Sequence, residues 1–267
     1  MKRHGIAVAR LEDLVPGESL LARMQSFVKA RLGEPKNERE IREYREVLAS
    51  RAEKPGAQSE RGKLFKDFRV NLWNVVDGAR IDLDANPFSP FLFSSPVLAA
   101  VNGYMDLAAK FAYGTLMTTI KVPPDTPEYL SQRWHRDPED KRFVRVFIYL
   151  NDVLEPSTGP FMYVMGSHAA GRWGRVFPQT PPAGRYPPPG AVEQIVHPED
   201  IRVCLGEAGT VVFADTAGIH KGGYSTGSER LMFAATFFSD AALQSRTFRV
   251  DNARLAGFAP LARYALA

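Results

Sequence analysis

Eight consecutive residues, Phe143-Val-Arg-Val-Phe-Ile-Tyr-Leu150, constrain the fold more than any other stretch of this chain. In an extended segment, alternate side chains leave opposite faces. Phe143, Arg145, Phe147 and Tyr149 then share one face, and Val144, Val146, Ile148 and Leu150 share the other. Both faces are largely apolar, so a strand here must be covered on both sides. A second sheet on one side and helices on the other satisfy that demand. The expected architecture is mainly β with α: about eight antiparallel strands in a two-sheet jelly roll, buttressed by N-terminal helices.

The helices come from the first third. Leu20, Leu21, Met24, Phe27 and Val28 recur at helical spacing within Glu18 to Leu32, as do Ile41, Tyr44, Val47 and Leu48 within Asn37 to Ala52. A polar stretch from Glu53 to Lys66 suggests a mobile loop, followed by an aromatic segment from Phe65 to Trp73. Ser94-Ser95-Pro96 predicts a capped helix start, with the helix running to about Phe111. Strands dominate from Leu116. With 267 residues and 45% hydrophobic content, one domain is expected over 1–267. Residues 1–113 form its mostly helical part, 114–240 its jelly-roll core and 241–267 a C-terminal segment.

Chemistry enters at His135-Arg136-Asp137. The histidine and the aspartate are two apart, so an extended segment from Gln132 to Asp137 delivers both to one face. A second histidine, His220, lies in Gly218-Ile-His-Lys-Gly-Gly-Tyr-Ser-Thr-Gly-Ser-Glu-Arg230, which predicts a hairpin leading into the run Leu231 to Phe238. A turn centred near Ser225 makes His220 and Arg230 cross-strand neighbours; one nearer Gly227 shifts that pairing. Two neutral imidazoles and one carboxylate offer three ligands on one face of a metal, a set that suits non-haem Fe(II) and leaves positions open opposite them.

An HxD pair, an apolar strand ending in Asn151-Asp152, Gly159-Pro-Phe-Met-Tyr-Val-Met-Gly-Ser-His168, Gly209-Thr-Val-Val-Phe-Ala-Asp215 and His220-x9-Arg230 follow in order. Together they resemble the phytanoyl-CoA dioxygenase family of Fe(II)/2-oxoglutarate-dependent oxygenases, over Leu116 to Phe238. The resemblance implies a double-stranded β-helix with His135, Asp137 and His220 on Fe(II). It implies that Arg230 pairs with the distal carboxylate of 2-oxoglutarate, with Ser228 adding a hydrogen bond. The implied reaction consumes dioxygen, converts 2-oxoglutarate to succinate and CO2 and oxidises a C–H of a small molecule, with ascorbate as a candidate reductant. No catalytic residue is implied beyond the ligands. Because Asp137 is present where related halogenases carry a small residue, hydroxylation or desaturation is favoured over halogenation. Gln132, Arg133, Trp134 and Arg145 are substrate-site candidates, the arginines for an anionic group.

Two other classes fit parts of this pattern: a cupin-like metalloenzyme that does not use 2-oxoglutarate, and a catalytically silent jelly-roll binding module. A net charge of +4 without a basic block is only weak evidence for nucleic acid and slightly better evidence for an anionic small substrate, and no nucleic-acid partner is expected. Cys204 is the only cysteine, so no disulfide framework exists, and the start Met1 to Arg10 has no apolar leader run; a cytoplasmic protein is expected. His4, His168 and His197 are expected to be structural, and Asp215 to orient a turn. The proline-rich stretch from Pro178 to Gly190 is too rich in proline for interior strand and is a candidate lid.

Overall fold

The apolar stripes of the first third form helices where their spacing places them. The computed structural model of the chain describes residues 1–17, 19–53, 68–76, 78, 82–83, 85–179 and 185–267. Its helices are α1 (Leu11–Leu14), α2 (Ser19–Leu32), α3 (Pro35–Glu53), α4 (Ser89–Leu92), α5 (Ser95–Met105), α6 (Ala191–Ile195) and α7 (Pro260–Leu266). Helix α2 buries Leu20, Met24 and Val28, and α3 buries Ile41, Tyr44, Val47 and Leu48. The loop expected from Glu53 lies outside the described residues between 54 and 67. Ser94 caps α5 by accepting from the Val97 backbone N–H at 3.4 Å, with Pro96 in the first turn.

Helix α5 ends at Met105, short of the expected Phe111. Asp106 closes it in the left-handed region at φ 57°. From Lys110 the chain is a strand paired on both edges. Sheet pairing decides the state of a run whose apolar content suits either.

The strands are β1 (Ile6–Arg10), β2 (Arg69–Val75), β3 (Lys110–Thr119), β4 (Val144–Tyr149), β5 (Phe161–Val164), β6 (Ile201–Cys204), β7 (Thr210–Ala214), β8 (His220–Lys221) and β9 (Arg230–Phe238). They make a 6-stranded sheet in the order β1-β7-β4-β9-β3-β2 and a 3-stranded sheet in the order β6-β5-β8. Every pairing is antiparallel. Strand β4 behaves as its alternation requires. Phe147 and Tyr149 join Met117, Met232, Phe161 and Tyr163 in a core between the sheets. Val144, Val146 and Ile148 join Met24, Val28 and Val101 in a second core between the larger sheet and the helices. This is the helix-buttressed jelly roll expected from the sequence. No helix among the described residues is long and apolar enough to cross a membrane.

Two local expectations change. His220 and Arg230 are not arms of one hairpin: β8 pairs with β5, whereas β9 pairs with β3 and β4. The segment between them crosses from the small sheet to the large one. It is held open because the Ser225 hydroxyl donates to the Thr158 carbonyl at 3.0 Å and the Val122 N–H donates to the Ser225 carbonyl at 2.7 Å. Nor is Gln132 to Asp137 a continuous strand. Leu130–Gln132 is a 3-10 turn, and only His135 and Arg136 make bridges, to His220 and Arg185.

Candidate metal centre

His135 and His220 face each other across a two-residue antiparallel bridge, each backbone N–H donating to the other's carbonyl at 2.9 Å. Their rings are 4.1 Å apart between centroids. Each ring is oriented by a carbonyl two residues before it: Nδ1 lies 2.8 Å from the Arg133 oxygen in His135 and 3.0 Å from the Gly218 oxygen in His220. A carbonyl can only accept, so Nδ1 carries the proton in both rings and each Nε2 keeps a free lone pair. Burial, with His135 beside it, lowers the pKa of His220 and favours the neutral form a ligand needs.

Asp137 completes the set. Its Oδ1 is 3.5 Å from the His135 Nε2 and its Oδ2 is 3.4 Å from the His220 Nε2. Donors at about 2.1 Å from one metal and at right angles lie about 3 Å apart, and here each histidine nitrogen is within 3.5 Å of an Asp137 oxygen and all ligand atoms lie within 4.8 Å of one another. Burial opposes the charge of Asp137, yet Arg145 beside it holds its carboxyl well below the usual carboxylate range. Its Oδ2 is buried and accepts no hydrogen bond. A buried carboxylate whose two oxygens each face a free imidazole nitrogen is the donor chemistry of a divalent metal site. Among the described residues, this trio groups metal-ligating side chains with all ligand atoms within 4.8 Å of one another.

A cavity is lined by His135 and His220 together with Phe147 and Phe161, and by Arg69, Thr119, Gly223 and Arg230. Arg230 is 3% exposed, donates to the Gly159 carbonyl and reaches Thr119 Oγ1 at 3.4 Å, while its Nε finds no acceptor. Among the described residues no carboxylate pairs with it. A buried guanidinium without a counter-ion, facing a cavity, is a site for an anion. Gly223 sits at φ +87°, and a Cβ there would lie 3.2 Å from the guanidinium, so the glycine leaves that end open.

The other sequence candidates separate. Arg145 lines the cavity but is engaged: its Nε is 3.3 Å from Asp137 Oδ2, and its NH2 donates to Glu139 and to the Tyr113 hydroxyl at 2.9 Å. It steadies a ligand. Gln132 is buried inside its own turn, accepting from the Tyr129 N–H at 2.9 Å and donating to the Gly223 carbonyl at 3.3 Å. Arg133 and Trp134 line a separate groove with Pro187 and Glu193, where the indole N–H of Trp134 donates to Glu193 at 2.5 Å. Ser228 is exposed, and its hydroxyl faces Thr158 at 3.5 Å rather than the cavity. Thr119 takes the place expected of it, because β3 sets Thr119 directly opposite Arg230.

Three features escaped the sequence. Arg136, between the two ligands, is buried and spends all of its N–H donors on backbone carbonyls, those of Phe177, Ser167, Ala217, Trp173 and Val176 at 2.6 to 3.2 Å. Arg69 sits opposite Thr119 on β2, so Arg69, Thr119 and Arg230 form one rung across three strands. The proline-rich stretch, described outside 180–184, fastens to the ligand segment at both flanks. Gln179 donates to the carbonyls of Asp137 and Asp140, Arg185 exchanges backbone hydrogen bonds with Arg136, and the Tyr186 ring stacks on His135 at 5.5 Å and 14°. Nothing in a one-dimensional pattern brings these residues together. Only the presence of Pro-rich chain between two strands hinted at the last.

No protein-family model and no curated protein matches this chain. Solved structures do. EctD from S. alaskensis, with 2-oxoglutarate and 5-hydroxyectoine, aligns with a TM-score of 0.56 at 15% identity over 89% of this chain and 73% of its own. The epimerase SnoN, in complex with Fe3+, alpha ketoglutarate and nogalamycin RO, aligns at 0.52 and 16% identity over 90% and 81%. The non-heme monooxygenase ThoJ aligns at 0.51 and 16% identity over 93% and 79%. At such identities the likeness is one of fold, and the fold shared with these proteins is the jelly roll described above.

Proposed function

We propose that this chain is an Fe(II)- and 2-oxoglutarate-dependent oxygenase, of the kind represented by the phytanoyl-CoA dioxygenase family, acting on a small molecule. The observation that carries the reading is one cavity lined by His135 and His220, two members of the His135–Asp137–His220 donor set, and by the unneutralised guanidinium of Arg230.

In this reading His135, Asp137 and His220 hold the metal through Nε2, a carboxylate oxygen and Nε2. Arg230 and Thr119 receive the distal carboxylate of 2-oxoglutarate. When bound, Fe(II) supplies the redox chemistry that couples dioxygen and the splitting of 2-oxoglutarate to oxidation of a substrate C–H. Phe147 and Phe161 keep the inner wall apolar, and Arg145 holds Asp137 in its ligating orientation. With the carboxylate ligand retained, hydroxylation or desaturation is the reading for the substrate. A reducing cytoplasm suits Fe(II) and the buried free thiol of Cys204.

The test is an anaerobic titration of the metal-free protein with Fe(II) and 2-oxoglutarate. A metal-to-ligand charge-transfer band is expected. Iron binding without it points to a metalloenzyme of another class, and no binding to a silent jelly roll. A His220→Ala chain that keeps iron and full turnover ends the metal assignment, because two remaining ligands cannot hold a facial geometry. Substrate-stimulated succinate formation then identifies the substrate; gain of one oxygen, loss of two hydrogens or an unchanged mass separates hydroxylation, desaturation and epimerisation.

The flanks of the proline-rich stretch support a role as a roof. Tyr186 on His135 and Gln179 on Asp137 tie it to two ligands. Cleavage within 178–190 by a broad protease is therefore expected to slow when Fe(II) and 2-oxoglutarate bind. Identical cleavage in every ligand state returns the stretch to plain surface.

A further inference from the structure

Three successive carbonyls of one turn reach the three residues of the HxD motif's surroundings that matter most to the metal. The Thr216 carbonyl accepts the Asp137 N–H at 2.9 Å, the Ala217 carbonyl accepts from Arg136 at 2.7 Å, and the Gly218 carbonyl accepts the Nδ1–H of His220 at 3.0 Å. The turn thus fixes the backbone of one ligand, the side chain between two ligands and the ring of a third. Its own shape is set by Asp215. Oδ1 accepts from the Ala217 N–H at 3.1 Å, and the Asp215 carbonyl accepts from the Gly218 N–H at 2.9 Å and from the Tyr163 hydroxyl at 3.0 Å. Oδ2 accepts from the hydroxyl of Tyr104 on α5. The packing is tight: a Cβ on Gly218 would sit 2.1 Å from the Tyr163 hydroxyl.

Asp215 is 1% exposed, and no ion pair involves it among the described residues. Burial pushes its carboxyl up to about 6, which is what holding a carboxylate in an apolar surround does. Such a group costs stability unless hydrogen bonds offset its burial, and here they come from Tyr104 and the Ala217 backbone. Both its oxygens accept hydrogen bonds, from Ala217 and Tyr104, and the grouped ligand atoms among the described residues are those of His135, Asp137 and His220 alone.

We infer that Asp215 is a positioning residue of the metal centre, shaping the turn Asp215–Gly218 so that its carbonyls orient Asp137, Arg136 and His220, with Tyr104 as its anchor on the helical layer. The inference rests on the metal reading above. It makes α5, which touches no ligand, part of the ligand geometry.

The experiment is a Co(II) titration of the metal-free protein, read by visible absorption, on wild type, Asp215→Ala, Asp215→Asn and Tyr104→Phe, with circular dichroism as the fold control. Losing an outer partner of a metal ligand weakens metal binding by about 10–100-fold. Asp215→Ala is expected to lose that much affinity and to show a changed absorption envelope at saturating Co(II). Asp215→Asn keeps an acceptor for Ala217 and is expected to restore the wild-type envelope, a rescue that a purely structural charge would not give. Tyr104→Phe removes only the outer anchor and decides the matter if Asp215→Ala does not fold: it is expected to weaken Co(II) binding with circular dichroism unchanged. Wild-type affinity and absorption in a folded Asp215→Ala, or in Tyr104→Phe where the alanine variant is unfolded, overturn the inference. Absence of Co(II) binding in wild type instead removes the metal reading beneath it.

Discussion

Arg136→Ala is expected to bring the metal-free protein close to the limit of stability, although Arg136 is neither a ligand nor part of the cavity wall. Its guanidinium serves five carbonyls from three places: the loop after β5, the chain entering the proline-rich stretch and the turn before His220. Burial lowers its pKa to about 10, so it remains a cation at neutral pH. Truncation would leave the Ser167 and Ala217 carbonyls buried without a donor, at about 1–3 kcal/mol each, and would weaken the three partly buried ones. The sum, about 5 kcal/mol, is comparable with the whole stability of many domains. Lysine brings three donors instead of a planar fork of five and should recover only part. Urea unfolding of wild type, Arg136→Lys and Arg136→Ala measures this directly; an alanine variant within about 1 kcal/mol of wild type would show that water replaces the guanidinium at little cost.

That role also marks where the sequence stopped being informative. Alternation can take the Arg136 side chain away from the face shared by His135 and Asp137, but it says nothing about what waits there. Its acceptors lie 31 to 81 residues away in the chain. Local signals fared better. The period-two pattern of Phe143 to Leu150 assigned both cores, because a strand's faces are fixed by covalent geometry alone. The helical stripes of α2 and α3 and the serine cap of α5 were equally legible, since each depends on neighbours within a turn or two.

The distal end of the site shows the opposite case. His220 and Arg230 do converge on one cavity, but by a crossing between sheets and not by a hairpin. Under a hairpin, Ser228 shares the face of Arg230 and looks like its helper. With the chain leaving the sheet before β9, Ser228 is carried outward, and the neighbour of Arg230 is Thr119, 111 residues away on β3. Arg69 joins them only because β2 pairs with β3. Strand partners far apart in sequence leave no periodic trace, so the candidate ligand trio was readable and the neighbours of Arg230 were not.

Arg230→Ala is expected to separate cosubstrate binding from metal binding. Arg230 lies on β9 and contacts Gly159 and Thr119, not the three ligands, so Fe(II) affinity should stay close to wild type. Affinity for 2-oxoglutarate should fall by about 2–5 kcal/mol, the scale for truncating one partner of a buried charge pair. Burial already lowers the pKa of Arg230, the sign of a cation that gains from a bound carboxylate. Arg230→Lys should rescue in part, since a point charge replaces a two-point fork. A 2-oxo acid of the same length lacking the distal carboxylate supplies the control: it should bind wild type and Arg230→Ala alike, because the group that distinguishes them is missing. The readout is the concentration dependence of the anaerobic charge-transfer band for each variant and each oxo acid. If the alanine variant binds 2-oxoglutarate as wild type does, the distal carboxylate is held elsewhere. Arg145 is committed to Asp137 and Glu139, and Arg133 lines a different groove. Arg69, on the same rung two strands away, is then the group to replace next.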